Sequence, residues 1–369
     1  MTIRPEDERF MAAAIRLARW HTGLTSTNPS VGCLIVKDGT IVGRAVTALG
    51  GRPHAEPQAL AEAGERARGA TAYVTLEPCS HHGKTPPCAE ALIAYGVGRV
   101  VISVTDPDSR VSGRGIAMLR DAGLEVETGV LEEEGRRALA GYLTRQVKNR
   151  PYVTLKIAVS ADGMIGRKGE GQVRITGDVS RSQVQVLRAE TDAILVGIGT
   201  ATADDPELTC RIPGLEDRSP IRIVIDDRLE LPLASKLVKT ARQVPVIAVA
   251  GEPPHFDNNP DEAFLARRAA LDEVGVEVVQ CSPQHLDDLL PALASRGVSS
   301  LLVEGGARTA RAFLDADLVD RILLFQGPGV IGEGGIESPV KKNDMPSGFA
   351  HFRTFVFGDD ICDEFERGS

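Results

Sequence analysis

Four residues in the first quarter of the chain have the types and spacing to bind a metal and work beside it. Pro53-His54-Ala55-Glu56 sets an imidazole and a carboxyl two residues apart. Glu77-Pro78-Cys79 follows a strand-like run, and Pro86-Pro87-Cys88 opens a helix-like one. One imidazole and two thiolates form a three-donor zinc set that leaves the fourth tetrahedral position open for water, as a catalytic site requires. Zinc lowers the pKa of its water to about 7. A proton must still travel from that water to the leaving group, and Glu56, not needed as a ligand, suits that shuttle. Two plainer readings compete. The thiols could be buried core residues beside a surface histidine, or the site could be a closed structural one with His81 or His82 as fourth ligand. The second leaves Glu56 without a role, and neither explains why Pro-His-x-Glu and two Pro-Cys pairs occur together and in this order.

The order H-x-E, then P-C-x-x-C, is the signature of zinc nucleobase deaminases, with the glutamate as general acid and base. Here eight residues, 80–87, separate the cysteines in place of two. This insertion forms a loop beside the metal. The second half of the chain carries weaker signals. Gly197-Ile-Gly199-Thr-Ala-Thr202 follows a strand but lacks the third glycine of a Rossmann fingerprint. Val303-Glu304-Gly-Gly306-Ala-Arg308 runs from strand through glycines into a helix. Such a junction offers free backbone N–H groups to an anion, although a tight strand-to-helix turn explains it equally well.

The elements that must hold these residues are legible from periodicity. Apolar spacing predicts helices over 6–20, 56–68 and 88–95, and another through 118–119 that ends near Gly123. Strands are predicted over 31–36, 72–76 and 99–104, with Lys37-Asp38-Gly39-Thr40 turning the first into a hairpin partner that starts at Ile41. This alternation describes a three-layer α/β domain over 1–149. The pattern restarts at Arg150-Pro151, which opens a second domain over 150–369. There, strands over 152–158, 193–196, 221–225, 244–249, 276–279, 300–303 and 321–325 alternate with helices over 179–190, 261–273, 285–295 and 307–315. No internal repeat relates the halves.

Composition limits the partners. The 369 residues favour two domains. At 42% hydrophobic and 25% charged the chain is globular. A net charge of −9 and 4% aromatics oppose nucleic acid as the main partner, since phosphate binding needs surplus lysine and arginine, and single strands need stacking platforms. No apolar run approaches the ~20 residues that span a bilayer. The acidic start MTIRPEDERF is unlike a signal peptide, so a cytoplasmic location is expected. Six cysteines (Cys33, Cys79, Cys88, Cys210, Cys281 and Cys362) suit metal binding or burial better than a disulfide framework.

The segment Thr75-Leu-Glu-Pro-Cys-Ser-His-His-Gly-Lys-Thr-Pro-Pro-Cys88 closely resembles the deaminase half of the bifunctional riboflavin-biosynthesis deaminase–reductase family, in which the long Cys-to-Cys loop is typical. Asn28-Pro29-Ser30-Val31-Gly32 resembles that family's first substrate loop. Residues 150–163, 192–200, 204–211 and 303–306 resemble its reductase half. The resemblance implies a cytidine-deaminase-like domain followed by a dihydrofolate-reductase-like α/β domain, with Zn2+ and NADPH as cofactors and a small phosphorylated pyrimidine as substrate. By position, Asn28 would bind the pyrimidine, and His82 and Lys84 would lie near its ribose or phosphate. Lys156, Arg188, Leu208, Arg211 and Glu304 would hold the reductase substrate, the arginines suiting a dianionic phosphate. Val159, Thr200, Asp204 and the Gly306 turn would hold NADPH. Three departures stand out: Thr47 where many members carry His, Asp106-Pro-Asp108 where Asp-Pro-Asn is usual, and Arg174 where the family often has Trp beside the cofactor. A homo-oligomer is compatible with this reading. The rival functions are a nucleic-acid or nucleoside base deaminase with an accessory reductase-like domain, and a zinc-stabilised binding module.

Overall fold

The computed structural model describes residues 4–81, 86–108, 112–253, 255–256, 259–281 and 285–368. The chain divides into two compact units, Met1–Arg150 and Pro151–Ser369.

In the first unit, α1 (Pro5–Ala18) precedes the hairpin β1 (Gly32–Lys37) and β2 (Thr40–Val46). Then come α2 (Ala55–Ala63), β3 (Thr71–Leu76), α3 (Cys88–Ala94), β4 (Arg99–Val104), α4 (Arg114–Asp121), β5 (Glu125–Thr128), α5 (Glu132–Ala138) and α6 (Ala140–Lys148). The sheet order is β2-β1-β3-β4-β5, antiparallel through the hairpin and β3, then parallel. Alternation along β1 divides the core into two layers. Leu34 and Val36 face Phe10, Met11 and Ala14 of α1, while Cys33 and Ile35 face Ala59 and Leu60 of α2 and Leu92 of α3. The predicted helix over 56–68 is shorter than expected: α2 stops at Ala63, because Gly64 turns to a φ of 57°, and a 3-10 turn, Gly64–Ala67, follows.

In the second unit, β6 (Tyr152–Val159), β7 (Met164–Arg167), α7 (Asp178–Ala189), β8 (Ala193–Gly197) and α8 (Ile198–Asp204) lead to β9 (Ile221–Ile225), α9 (Lys236–Lys239) and β10 (Val246–Ala250). The short strands β11 (His255–Phe256) and β12 (Asn259–Pro260) precede α10 (Glu262–Val274), β13 (Glu277–Gln280), α11 (Leu286–Ser295), β14 (Ser300–Val303) and α12 (Ala307–Asp315). The unit closes with β15 (Arg321–Gln326), β16 (Gly335–Glu337), β17 (Phe349–Phe357) and β18 (Asp360–Arg367). Nine strands form one sheet in the order β13-β10-β9-β8-β14-β6-β15-β18-β17, parallel up to β15 and antiparallel beyond. Apolar residues of α11 and α12 cover one face, and those of α9 and α10 cover the other. On β6 the pattern alternates strictly: Val153, Leu155, Ile157 and Val159 point into the first of these cores, Lys156 to the opposite face. The sequence reading did not foresee the β17–β18 hairpin.

Candidate active site

Helices α2 and α3 lie on the same face of the first sheet, and their N-termini meet where β3 ends. His54 is the last extended residue before α2, so Glu56 falls in that helix's first turn and is buried. Cys79 lies three residues beyond β3, and Cys88 is the first residue of α3. His54 Nδ1 is 3.3 Å from Cys88 Sγ and 3.7 Å from Cys79 Sγ. Around tetrahedral zinc, with bonds of about 2.3 Å to sulfur and about 2.1 Å to nitrogen, such donors stand roughly 3.6 Å apart. The three side chains therefore fit the ion, and Nδ1 is the nitrogen that would hold it. The other ring nitrogen, Nε2, is buried with no hydrogen-bond partner among the described residues. Among the described residues no fourth His, Cys, Asp or Glu joins the group. The Cys79 thiol is held down to about 4, first by a hydrogen bond from Cys88 and then by His54, which favours the thiolate a metal needs. Sharing that proton, together with burial, pushes the Cys88 thiol up. Burial also raises the Glu56 carboxyl, against the pull of His54, toward the range useful for proton transfer.

Two residues given no role by the sequence reading support this centre. The Gln58 amide donates to the carbonyls of His54 (2.9 Å), Val46 (3.0 Å) and Pro53 (3.1 Å), so it fixes the backbone that carries the ligand. Its i,i+4 spacing from His54 was the one signal available. Glu77 is buried two residues before Cys79, and its carboxylate accepts the backbone N–H groups of Asp106, Gly113, Gly115 and Ile116. Nothing local could have shown that. Asn28 is half-buried in a turn closed by the Thr25 hydroxyl, which donates to the Asn28 carbonyl at 2.7 Å. Thr47 is buried and its hydroxyl accepts the Val31 N–H at 2.9 Å, which ties the chain just after β2 to the chain just before β1. His82 and Lys84 lie outside the described residues.

The second unit brings together residues from distant parts of the chain. Arg188, in the last turn of α7, grips Glu304 with two parallel bonds: Nε to Oε1 at 3.0 Å and Nη2 to Oε2 at 3.1 Å. Lys156 Nζ is 3.8 Å from the same carboxylate. Burial alone would raise the Glu304 carboxyl, but Arg188 and then Lys156 outweigh it and hold it below its ordinary value. Arg211 pairs with Glu207 at the surface, 3.1 Å away. The Leu208 side chain is buried in the core at a φ of 55°, so only its backbone is left to meet a ligand. Val159 ends β6, Thr200 and Asp204 belong to α8 after β8, and Gly306 precedes α12 after β14. These strands are neighbours in the order β8-β14-β6, and the residues emerge at their C-terminal ends, where open α/β sheets take ligands. The Thr200 hydroxyl accepts the Gly306 N–H at 3.1 Å, which ties two of these corners together. Val159, Thr200 and Gly306 thus lie at neighbouring strand ends, with Asp204 at the far end of α8. Arg174 instead lies exposed and paired with Asp178 at 3.0 Å.

The fold and its site define a two-part enzyme: a zinc-binding deaminase unit followed by a reductase unit of dihydrofolate-reductase-like type. Residues 4–104 match the cytidine and deoxycytidylate deaminase zinc-binding region, and residues 151–362 match the RibD C-terminal domain. The chain is 41% identical over 332 residues to the riboflavin biosynthesis protein RibD of Aquifex aeolicus, with 90% of each chain covered. It is 39% identical to that of Escherichia coli, with 89% of each covered. The solved RibD of Acinetobacter baumannii (form 1) superposes with a TM-score of 0.85 at 34% identity, covering 99% of both chains. A diaminohydroxyphosphoribosylaminopyrimidine deaminase/5-amino-6-(5-phosphoribosylamino)uracil reductase from Thermotoga maritima gives 0.82 at 32%, covering 98% of this chain and 99% of that one. The chain belongs to the RibD family of bifunctional riboflavin-biosynthesis enzymes.

Proposed function

We propose that residues 1–149 deaminate 2,5-diamino-6-(5-phosphoribosylamino)pyrimidin-4(3H)-one and that residues 150–369 reduce the ribosyl group of the product to ribityl with NADPH. The observation that carries the first half is the His54–Cys79–Cys88 donor set with Glu56 buried beside it. Zinc, when bound, supplies a nucleophile from water near neutral pH. Glu56 takes the proton of the attacking water and passes it to the exocyclic amine, which leaves as ammonia. Asn28 holds the pyrimidine, and His82 and Lys84 serve near its ribose or phosphate. The closed structural site is disfavoured, since it gives Glu56 nothing to do.

In the second half Lys156, Arg188, Leu208, Arg211 and Glu304 hold the pyrimidine and its phosphate, while Val159, Thr200, Asp204 and Gly306 hold the cofactor. NADPH, when bound, supplies hydride to the sugar C1 carbon of the open-chain imine. The protein contributes orientation, with Glu304 fixed as an ionised acceptor by its two cationic neighbours. Arg174, exposed and paired with Asp178, keeps an open role: it could stack on the cofactor or meet a phosphate. The partner is a small phosphorylated molecule and not nucleic acid, in keeping with a cytoplasmic enzyme of net charge −9. No helix among the described residues is long and apolar enough to cross a membrane.

The test supplies the diaminopyrimidinone phosphate with and without NADPH and follows ammonia and cofactor absorbance separately. Ammonia without NADPH, and no oxidation of NADPH until ammonia has formed, is the expected result. Oxidation before any ammonia appears would reverse the proposed order.

A further inference from the structure

We propose that Glu77 is a positioning residue that keeps the Cys79 end of the metal centre in register with the segment after β4. The inference rests on the zinc-deaminase reading above. Strands β3 and β4 are parallel neighbours, with Leu76 opposite Val104, so both chains leave the sheet at the same end. One carries Pro78 and Cys79, the other residues 105–108 and then α4. The Glu77 backbone N–H closes this end on the Val104 carbonyl at 2.9 Å. Its side chain then reaches across. Oε2 accepts the N–H groups of Asp106 (3.3 Å) and Gly113 (3.0 Å), and Oε1 those of Gly115 (3.0 Å) and Ile116 (3.2 Å). One buried carboxylate thus satisfies the start of α4 and the strand exit together.

A second, independent contact locks the same two segments. A Cβ on Gly115 would stand 2.1 Å from the Pro78 carbonyl oxygen, so α4 lies directly against the residue before the ligand. Further out, the Asp106 carboxylate accepts the Tyr142 hydroxyl at 3.0 Å and the Asp108 N–H at 2.9 Å. Displacing Glu77 therefore moves Cys79 and Asp106–Asp108 relative to each other. On this proposal a substrate held at the metal has that second segment as a neighbour, so the residue sets metal geometry and substrate fit together.

The test uses the full chain with cobalt in place of zinc, whose thiolate charge-transfer and d–d bands report the geometry of the sulfur ligands. E77Q turns two acceptor bonds into donor-against-donor contacts, while G115A displaces Pro78 without changing charge. Each variant is expected to shift the cobalt bands and to lose zinc to a chelator about 10–100-fold more readily. Each should also raise KM for the diaminopyrimidinone phosphate more than it lowers kcat, with NADPH oxidation on the deaminated substrate unchanged. Folded variants with wild-type bands, zinc retention and KM would overturn the proposal. So would variants that lose the fold of the unit together with its metal, since Glu77 would then be a helix cap and nothing more. A wild-type chain that takes up no cobalt or zinc would bring down the zinc reading itself, which separates that failure from this one.

Discussion

At the scale of single residues, the deaminase site separates holding the metal from moving the proton. Glu56 stands beside the donor set without belonging to it. Glu56→Gln should therefore keep about one zinc per chain, while ammonia release falls by roughly 10²–10⁴-fold, the usual share of a general acid–base group. His54→Ala should lose the zinc as well, which metal analysis of both variants would show. Full activity in a metal-free preparation would refute the assignment. In the second unit, Glu304 lies between Arg188 and Lys156, and removing its charge strands the buried Arg188 and the half-buried Lys156. Glu304→Ala should destabilise that unit by about 3–5 kcal/mol, read from its denaturant midpoint, and abolish NADPH oxidation while ammonia release continues. The two sites differ in how far sequence revealed them. His54, Glu56, Cys79 and Cys88 lie within 35 residues and carry a chemical pattern of their own. Arg188 and Glu304 are 116 residues apart, so no spacing announces their pairing, and only the resemblance to a family pointed to both.

At the scale of elements, α1 is fastened to the sheet by charge as well as by its apolar face. Asp7 is fully buried and accepts Arg99 Nη1 at 2.6 Å, Arg99 Nη2 at 2.9 Å and the Tyr73 hydroxyl at 2.9 Å. Burial works to raise its carboxyl, but the Arg99 bonds, with Arg4 and Tyr73, hold it below the ordinary 3.8. A carboxyl depressed in the folded state adds stability that is fully present above its unfolded pKa and is lost as pH falls through the folded one. Acid titration of unfolding should therefore show stability declining below about pH 4. Asp7→Asn should be less stable at pH 7 and show a shallower slope through that window; an unchanged slope would show that Asp7 is not the group responsible. Elements buried by alternating or helical apolar patterns were legible, as β6 and α12 show. The hairpin β17–β18 was not, for a physical reason. On β18, Asp363 and Glu364 are buried but neutralised by Arg353 of the facing strand and by Lys342 and Arg321 from outside the hairpin, so a strand that reads as solvated is core. On β9, which was legible as a strand over 221–225, what the sequence hid was the burial of its charge: Arg222 is fully buried and donates to the Thr240 hydroxyl at 2.7 Å and to the Thr240 carbonyl at 3.1 Å, partners beyond its own strand.

At the scale of the whole molecule, each unit has its own sheet and its own core, and the metal donors belong wholly to the first. Zinc removal should therefore act on one activity and not the other. Metal binding that is absent from the unfolded chain stabilises the folded state by mass action, so a chelator should lower the melting temperature of the first unit and leave that of the second in place. In the same sample, ammonia release from the diaminopyrimidinone phosphate should stop. NADPH oxidation should persist when the already deaminated substrate is given, because Lys156, Arg188 and Glu304 owe nothing to the metal. Added zinc should restore ammonia release and the first transition together. If chelation stopped both reactions on their own substrates, the reductase site would depend on the metal centre, and the assignment of the two chemistries to separate units would fall.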